Sequence, residues 1–162
     1  MDDAAGLPRG STSYYLPTRA SLMAAAVARL AELDTTALLG TREGAPLAAT
    51  LADLLDRLRS IDRDRTLARY ELSLEAVRRP ELRAALDAGA GRVRRAIADH
   101  LAAEGMADAE IVAGDVMALF DGLLFHELTG SGGHPATRAD LQRAFARLLG
   151  PVPSRKDEGP VI

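Results

Sequence analysis

Apolar residues recur every three or four positions along most of this chain, and nowhere do they alternate as a strand would require. Leu22, Met23, Val27 and Leu30 mark one side of a helix that starts at Thr18 and runs to about residue 39. Thr18 is placed to cap it, its hydroxyl reaching backbone N–H groups left free at a helix start. Gly40, Gly44 and Pro46 then break the pattern. Leu47, Leu51, Leu54, Leu58 and Ile61 form a narrow apolar seam on the next helix. After Asp62 to Arg65, the residues Leu67, Tyr70, Leu74 and Val77 define the face of another, which stops before Pro80. Pro80 opens a further helix, where its missing N–H costs nothing. The apolar face there is Leu82, Leu86, Val93, Ile97 and Leu101, and Glu104-Gly105 ends it. Gly89 and Gly91 lie inside that pattern, each costing about 1 kcal/mol relative to alanine. Close helix packing or a bend is the expected reason for them.

The helix expected over residues 108–129 differs in kind. Ile111, Val112, Val116, Met117, Leu119, Phe120, Leu123, Leu124, Phe125 and Leu128 leave it almost no polar face. Such a helix is buried on more than one side, here by the core and by a second subunit. Residues 130–135 break the chain before a last helix over residues 137–149, with Leu141, Phe145, Leu148 and Leu149. Beyond Pro151 and Pro153 the sequence is charged and rich in Pro and Gly, and residues 151–162 are expected to be a disordered tail. The fold class is therefore all-α, a bundle of about seven helices joined by short connections.

The odd member is the first. Residues 9–15 carry Arg9, the hydroxyls of Ser11, Thr12 and Ser13, and the phenols of Tyr14 and Tyr15. A helix this short does not hold itself together in water, and its polar surface fills no core. A docked partner is the expected reason for it. Arg9-Gly10-Ser11-Thr12-Ser13, Tyr14-Tyr15-Leu16 and Thr18-Arg19 resemble the recognition helix and the start of the linking helix in the tetracycline-repressor (TetR) family of transcriptional regulators. Tyr15 stands where a His is usual there, Leu16 where a Phe is usual, and Ala20 replaces a frequent Glu.

That resemblance implies a homodimeric transcriptional regulator, a repressor, with a small apolar effector bound in the helical body and operator DNA as its partner. It implies DNA contact by Arg9, Ser11, Thr12, Ser13, Tyr14, Tyr15, Thr18 and Arg19. Hydroxyls and phenols there suit phosphate oxygens, while Arg9 and Thr12 reach base edges. It also implies a four-helix dimer bundle from the last two helices, with Leu119, Leu123, His126, Leu141, Phe145 and Leu148 at the interface. Residues 1–40 then form a DNA-binding region and residues 45–150 a ligand-binding and dimerisation domain. The family has two helices before the recognition helix, and Met1 to Ala5 supply at most the tail of the second. The helix-turn-helix is accordingly expected to be incomplete, with residues 1 to about 17 poorly ordered and DNA bound weakly. The alternative is a dimeric helical module that senses ligand or pairs with a partner without binding DNA.

Composition narrows these expectations. A length of 162 residues allows one domain with a real core. Lacking cysteine, the chain has neither disulfides nor thiolate metal ligands, which fits a reducing cytoplasm. No apolar stretch approaches membrane-spanning length, so no membrane partner is expected. The formal charge of −3 excludes a generally basic nucleic-acid binder, though not a local basic surface. Arginines from Arg63 to Arg95 outnumber the carboxylates among them, whereas residues 96–135 hold no Lys or Arg at all.

Little in the sequence suggests catalysis. His100, His126 and His134 lie on different elements without metal-ligand spacing, so no metal and no cofactor are expected. Gly89-Ala-Gly91 follows no strand and is no phosphate loop. No nucleophile–base set stands out, and the chain is read as no enzyme. A binding pocket fits better. Tyr70, Leu74, Met106, Met117, Phe120 and Leu124 offer aromatic, flexible and branched apolar surface, with Asp121 as the polar anchor in the most apolar helix.

Overall fold

The computed structural model describes residues 8–39, 45–130 and 133–150, with Asp3 and Gly6. Among them every regular element but one short turn is an α-helix: α1 Ser11–Tyr15, α2 Arg19–Leu39, α3 Leu47–Ser60, α4 Arg63–Ala76, α5 Pro80–Ala103, α6 Ala109–Thr129 and α7 Arg138–Leu149. The all-α class and the helix count agree with the sequence reading. The tail expected at residues 151–162 lies outside the described residues.

Helices α3, α5, α6 and α7 share one core, built on Leu51, Leu55, Leu101, Val116, Leu124, Leu141 and Phe145. A smaller cluster of Val27, Ala76 and Leu82 joins α2, α4 and α5. The long helix α5 belongs to both, packing against α2, α4 and α6.

Two apolar faces differ from the sequence reading. The α3 seam stops at Leu58, because the helix ends at Ser60 and leaves Ile61 in the following turn, exposed. Leu55, outside that seam, is fully buried. On α4 the face is rotated: Leu67, Leu74 and Val77 are exposed, while Thr66 and Ala76 are buried. The Thr66 hydroxyl lies 3.0 Å from the Leu58 carbonyl and 2.9 Å from that of Asp62. Thr66, Arg69 with Tyr70, Ser73 and Ala76 recur at helical spacing and turn inward, so of the face read from the sequence only Tyr70 points to the core.

Covalent-scale detail fixes α2 on α5. A Cβ built at Gly89 would lie 2.7 Å from the Cβ of Ala31, closer than two methyl groups tolerate. Close packing, one of the two reasons the sequence offered, holds for Gly89; at Gly91 a Cβ would meet nothing within 4 Å. Gly89→Ala is expected to destabilise the chain by about 1–3 kcal/mol through overpacking. Adding Ala31→Gly should recover most of that loss, a coupling readable in a urea-denaturation double-mutant cycle. Strictly additive losses would mean that the two helices do not meet there.

Polar ties hold the other end. Arg59 on α3 is paired with Glu127 on α6 and with Asp56 at 2.6 Å. The second carboxylate oxygen of Glu127 accepts the Ala136 N–H at 2.9 Å, just before α7. Helix α7 opens with a reciprocal cap: the Thr137 hydroxyl accepts from the Asp140 N–H, and the Asp140 carboxylate from the Thr137 N–H. Arg138 then bridges to Asp53 on α3 at 2.8 Å.

Candidate functional site

A cavity of about 420 Å³ opens between α2, α3, α4, α5 and α6. That size falls within the range of about 300–1,000 Å³ typical of small-molecule sites. Its walls are mostly apolar: Val27, Leu30 and Ala31 from α2; Leu51, Leu54 and Leu58 from α3; Leu86, Val93 and Ile97 from α5; Met117 and Phe120 from α6. Each helix contributes through its inward stripe, so the cavity is a gap in the packing where five such stripes converge.

Polar groups gather at the rim. Arg69 on α4 donates to the Asp121 carboxylate on α6 at 3.3 Å. The Tyr70 phenol donates to the Asp121 backbone carbonyl at 3.2 Å, and the Arg69 guanidinium lies 5.4 Å over the Tyr70 ring. Tyr70 also meets Phe125 edge-on, their ring centres 5.5 Å apart. Burial, with the Asp121 charge adding to it and Arg69 opposing, pushes the Tyr70 phenol above its ordinary range. Tyr70 therefore stays a neutral donor at ordinary pH. On α5, Arg83 and Asp87 line the cavity as an exposed ion pair at 2.9 Å.

Four of the residues proposed from the sequence meet at this cavity: Tyr70, Met117, Phe120 and Asp121. Three do not line it. Leu74 is exposed on the outer side of the rotated α4, Leu124 is fully buried in the main core, and Met106 packs against that core from the turn after α5. The sequence reading missed the α2 and α3 walls, as well as Arg69, Ser73 and the α5 contribution. Arg69 beside Tyr70, within reach of the helix bearing Asp121, was the signal that could have found the rim.

The expected dimer residues also divide. His126 is exposed, and Leu119, Leu123 and Leu148 are partly buried. Leu141 and Phe145 are fully buried in the subunit's own core, which corrects their placement at an interface: neither side chain reaches a surface that a partner could touch. The outward stripe of α6 instead carries Ile111, Asp115, Ala118, Gly122 and Phe125.

In the N-terminal region, Tyr14 and Tyr15 are exposed and meet edge-on, ring centres 5.0 Å apart. Arg9 and Arg19 are exposed as well, Arg9 lying 3.5 Å from Asp3. The hydroxyls of Ser11 and Thr18 already serve the backbone. Ser11 donates to the Pro8 carbonyl at 2.7 Å, and Thr18 caps α2 by accepting the Ser21 N–H at 3.0 Å. The side chains of Thr12 and Ser13 lie outside the described residues. Among the described residues, no group of three or more His, Asp or Glu is placed to hold a metal ion, and no helix is long and apolar enough to cross a membrane.

The family model for the tetracyclin repressor-like C-terminal domain matches residues 42–151. The chain belongs to the TetR family. The match spans α3 to α7, and so most of the cavity wall and rim of this TetR-family regulator. A search of curated proteins returned no match.

Proposed function

We propose that this TetR-family chain is a repressor that works in the cytoplasm as a homodimer, binding operator DNA through its N-terminal region and a small apolar effector in its cavity. Residues 1–40 act as a partial helix-turn-helix DNA-binding region and residues 45–150 as the ligand-binding and dimerisation domain. The observation that carries this reading is the position of α2. Val27, Leu30 and Ala31 form part of the cavity wall, while the same helix begins at Arg19, directly after the exposed α1. A ligand that prefers one position of α2 therefore biases the placement of α1, which is what coupling between two sites requires.

Pairing is supported by the outward stripe of α6. Ile111 and Phe125 are exposed apolar side chains there, and beyond Asp115 the small Ala118 and Gly122 allow a second helix close to the Phe125 end. The whole of α6 carries no Lys or Arg.

One experiment tests both parts. Light scattering should report a dimer for the natural chain and a monomer for Phe125→Arg. Fluorescence anisotropy on DNA fragments flanking the gene should show binding that falls as salt rises. Arg9→Ala with Arg19→Ala should weaken that binding, and so should the monomeric variant. Persistence of the dimer in Phe125→Arg would move the interface elsewhere. A chain that pairs yet binds no fragment would be a sensing module without DNA.

A further inference from the structure

Of the two ion pairs at the cavity, the one between α4 and α6 holds its charges under unequal restraint. Arg69 is 22% exposed and lies over the Tyr70 ring, whereas the Asp121 carboxylate is 56% exposed. Their contact of 3.3 Å is longer than the roughly 2.7–2.9 Å usual for a charge-assisted bond. Asp121, the more exposed partner, is the one that an incoming anion can replace, since water reaches its carboxylate. Arg69 cannot leave as easily, because its guanidinium would lose both its cover and the aromatic face beneath it.

We propose, resting on the ligand-cavity reading above, that the occupant is an amphipathic carboxylate, an aliphatic or aromatic acid. Its apolar body fills the space beside Leu54, Val93, Met117 and Phe120, and its carboxylate replaces Asp121 on the Arg69 guanidinium. The exchange is like for like in charge. The planar guanidinium fork can hold the incoming group by two parallel bonds, a geometry that favours arginine for carboxylates. An alkylammonium ligand would compete with Arg69 for Asp121, and at the far side of the cavity it would meet the Arg83–Asp87 pair, whose charges offset each other. An alcohol would occupy the apolar part without gaining the ionic contact. Exchange also has a structural effect, since the Arg69–Asp121 contact ties α4 to α6 and the ligand would replace that tie.

The test is calorimetric titration of the full chain with decanoate, decanol and decylamine, each kept below its micellar range. Decanoate should bind about tenfold more tightly than decanol, equivalent to ~1.4 kcal/mol, with decylamine weakest. Arg69→Gln should bring the decanoate-to-decanol ratio towards unity. Asp121→Asn should tighten decanoate by removing its competitor. If decanol or decylamine matches decanoate in the natural chain, the carboxylate proposal is overturned while the cavity reading stands. If none of the three binds, both fail. Should Arg69→Gln prove unfolded by circular dichroism, the ranking of the three ligands together with Asp121→Asn still decides.

Discussion

Glu127→Ala is expected to lower the stability of the chain by about 3–5 kcal/mol, the usual consequence of removing one partner from a buried ion pair. Glu127 is 8% exposed and Arg59 18%. Without the carboxylate, the guanidinium keeps only Asp56 on its own helix, and the Ala136 N–H loses its acceptor. The loss concerns three elements at once, since Glu127 joins α3, α6 and the segment leading into α7. Chemical denaturation measures it directly, and a thermal midpoint lowered by roughly 10 °C is the corresponding shift for a chain of this size. Replacing both partners by apolar residues of similar volume, Arg59→Met with Glu127→Leu, should recover most of the stability. A single Glu127→Ala variant within about 0.5 kcal/mol of the natural chain would show that the pair is no better than a surface bridge.

Phe145→Ala is expected to cost a similar amount, about 3–5 kcal/mol, for a different reason. The ring is fully buried and lies 6.0 Å from that of Phe120, centre to centre. Truncation leaves a hole in the main core and removes support from behind a cavity wall. Because the side chain touches no outer surface, the folded fraction should keep the assembly state of the natural chain in light scattering. Dissociation without loss of stability would return Phe145 to the interface.

The helices were legible in the sequence because their ends are chemically marked. Pro80 opens α5, Thr137 caps α7, and Gly130 takes the left-handed backbone (φ 71°) that closes α6. The α4 and α6 side of the cavity was legible too, through Tyr70, Met117, Phe120 and Asp121. What periodicity could not show is where a wall differs from a core. Val27 and Leu86 recur at helical spacing whether or not a space lies beside them. The face of α4 misled for a sharper reason. Its Leu67, Leu74 and Val77 are the hydrophobic choice, but Thr66 finds carbonyl partners and Arg69 finds Asp121, so the polar stripe turns inward. Likewise, Phe145 belonged to an apolar helix that could have faced either the core or a partner, and only its burial decides.

The approach of α2 to α5 at Gly89 has a mechanical meaning. Ala31 meets a bare backbone there, so the two helices approach closely at that point, with Val27, Met23, Leu82 and Leu86 packed together towards the Arg19 end. Ala31 lies twelve residues from Arg19, about 18 Å along the axis at ~1.5 Å per residue. With that contact as a fulcrum, a rotation of about 10° would swing the Arg19 end through roughly 3 Å. Val27 and Leu30, which border the cavity, lie on that same arm close to the pivot. An occupant of the proposed site that shifts α2 near the pivot would move its Arg19 end, next to α1, by the larger distance.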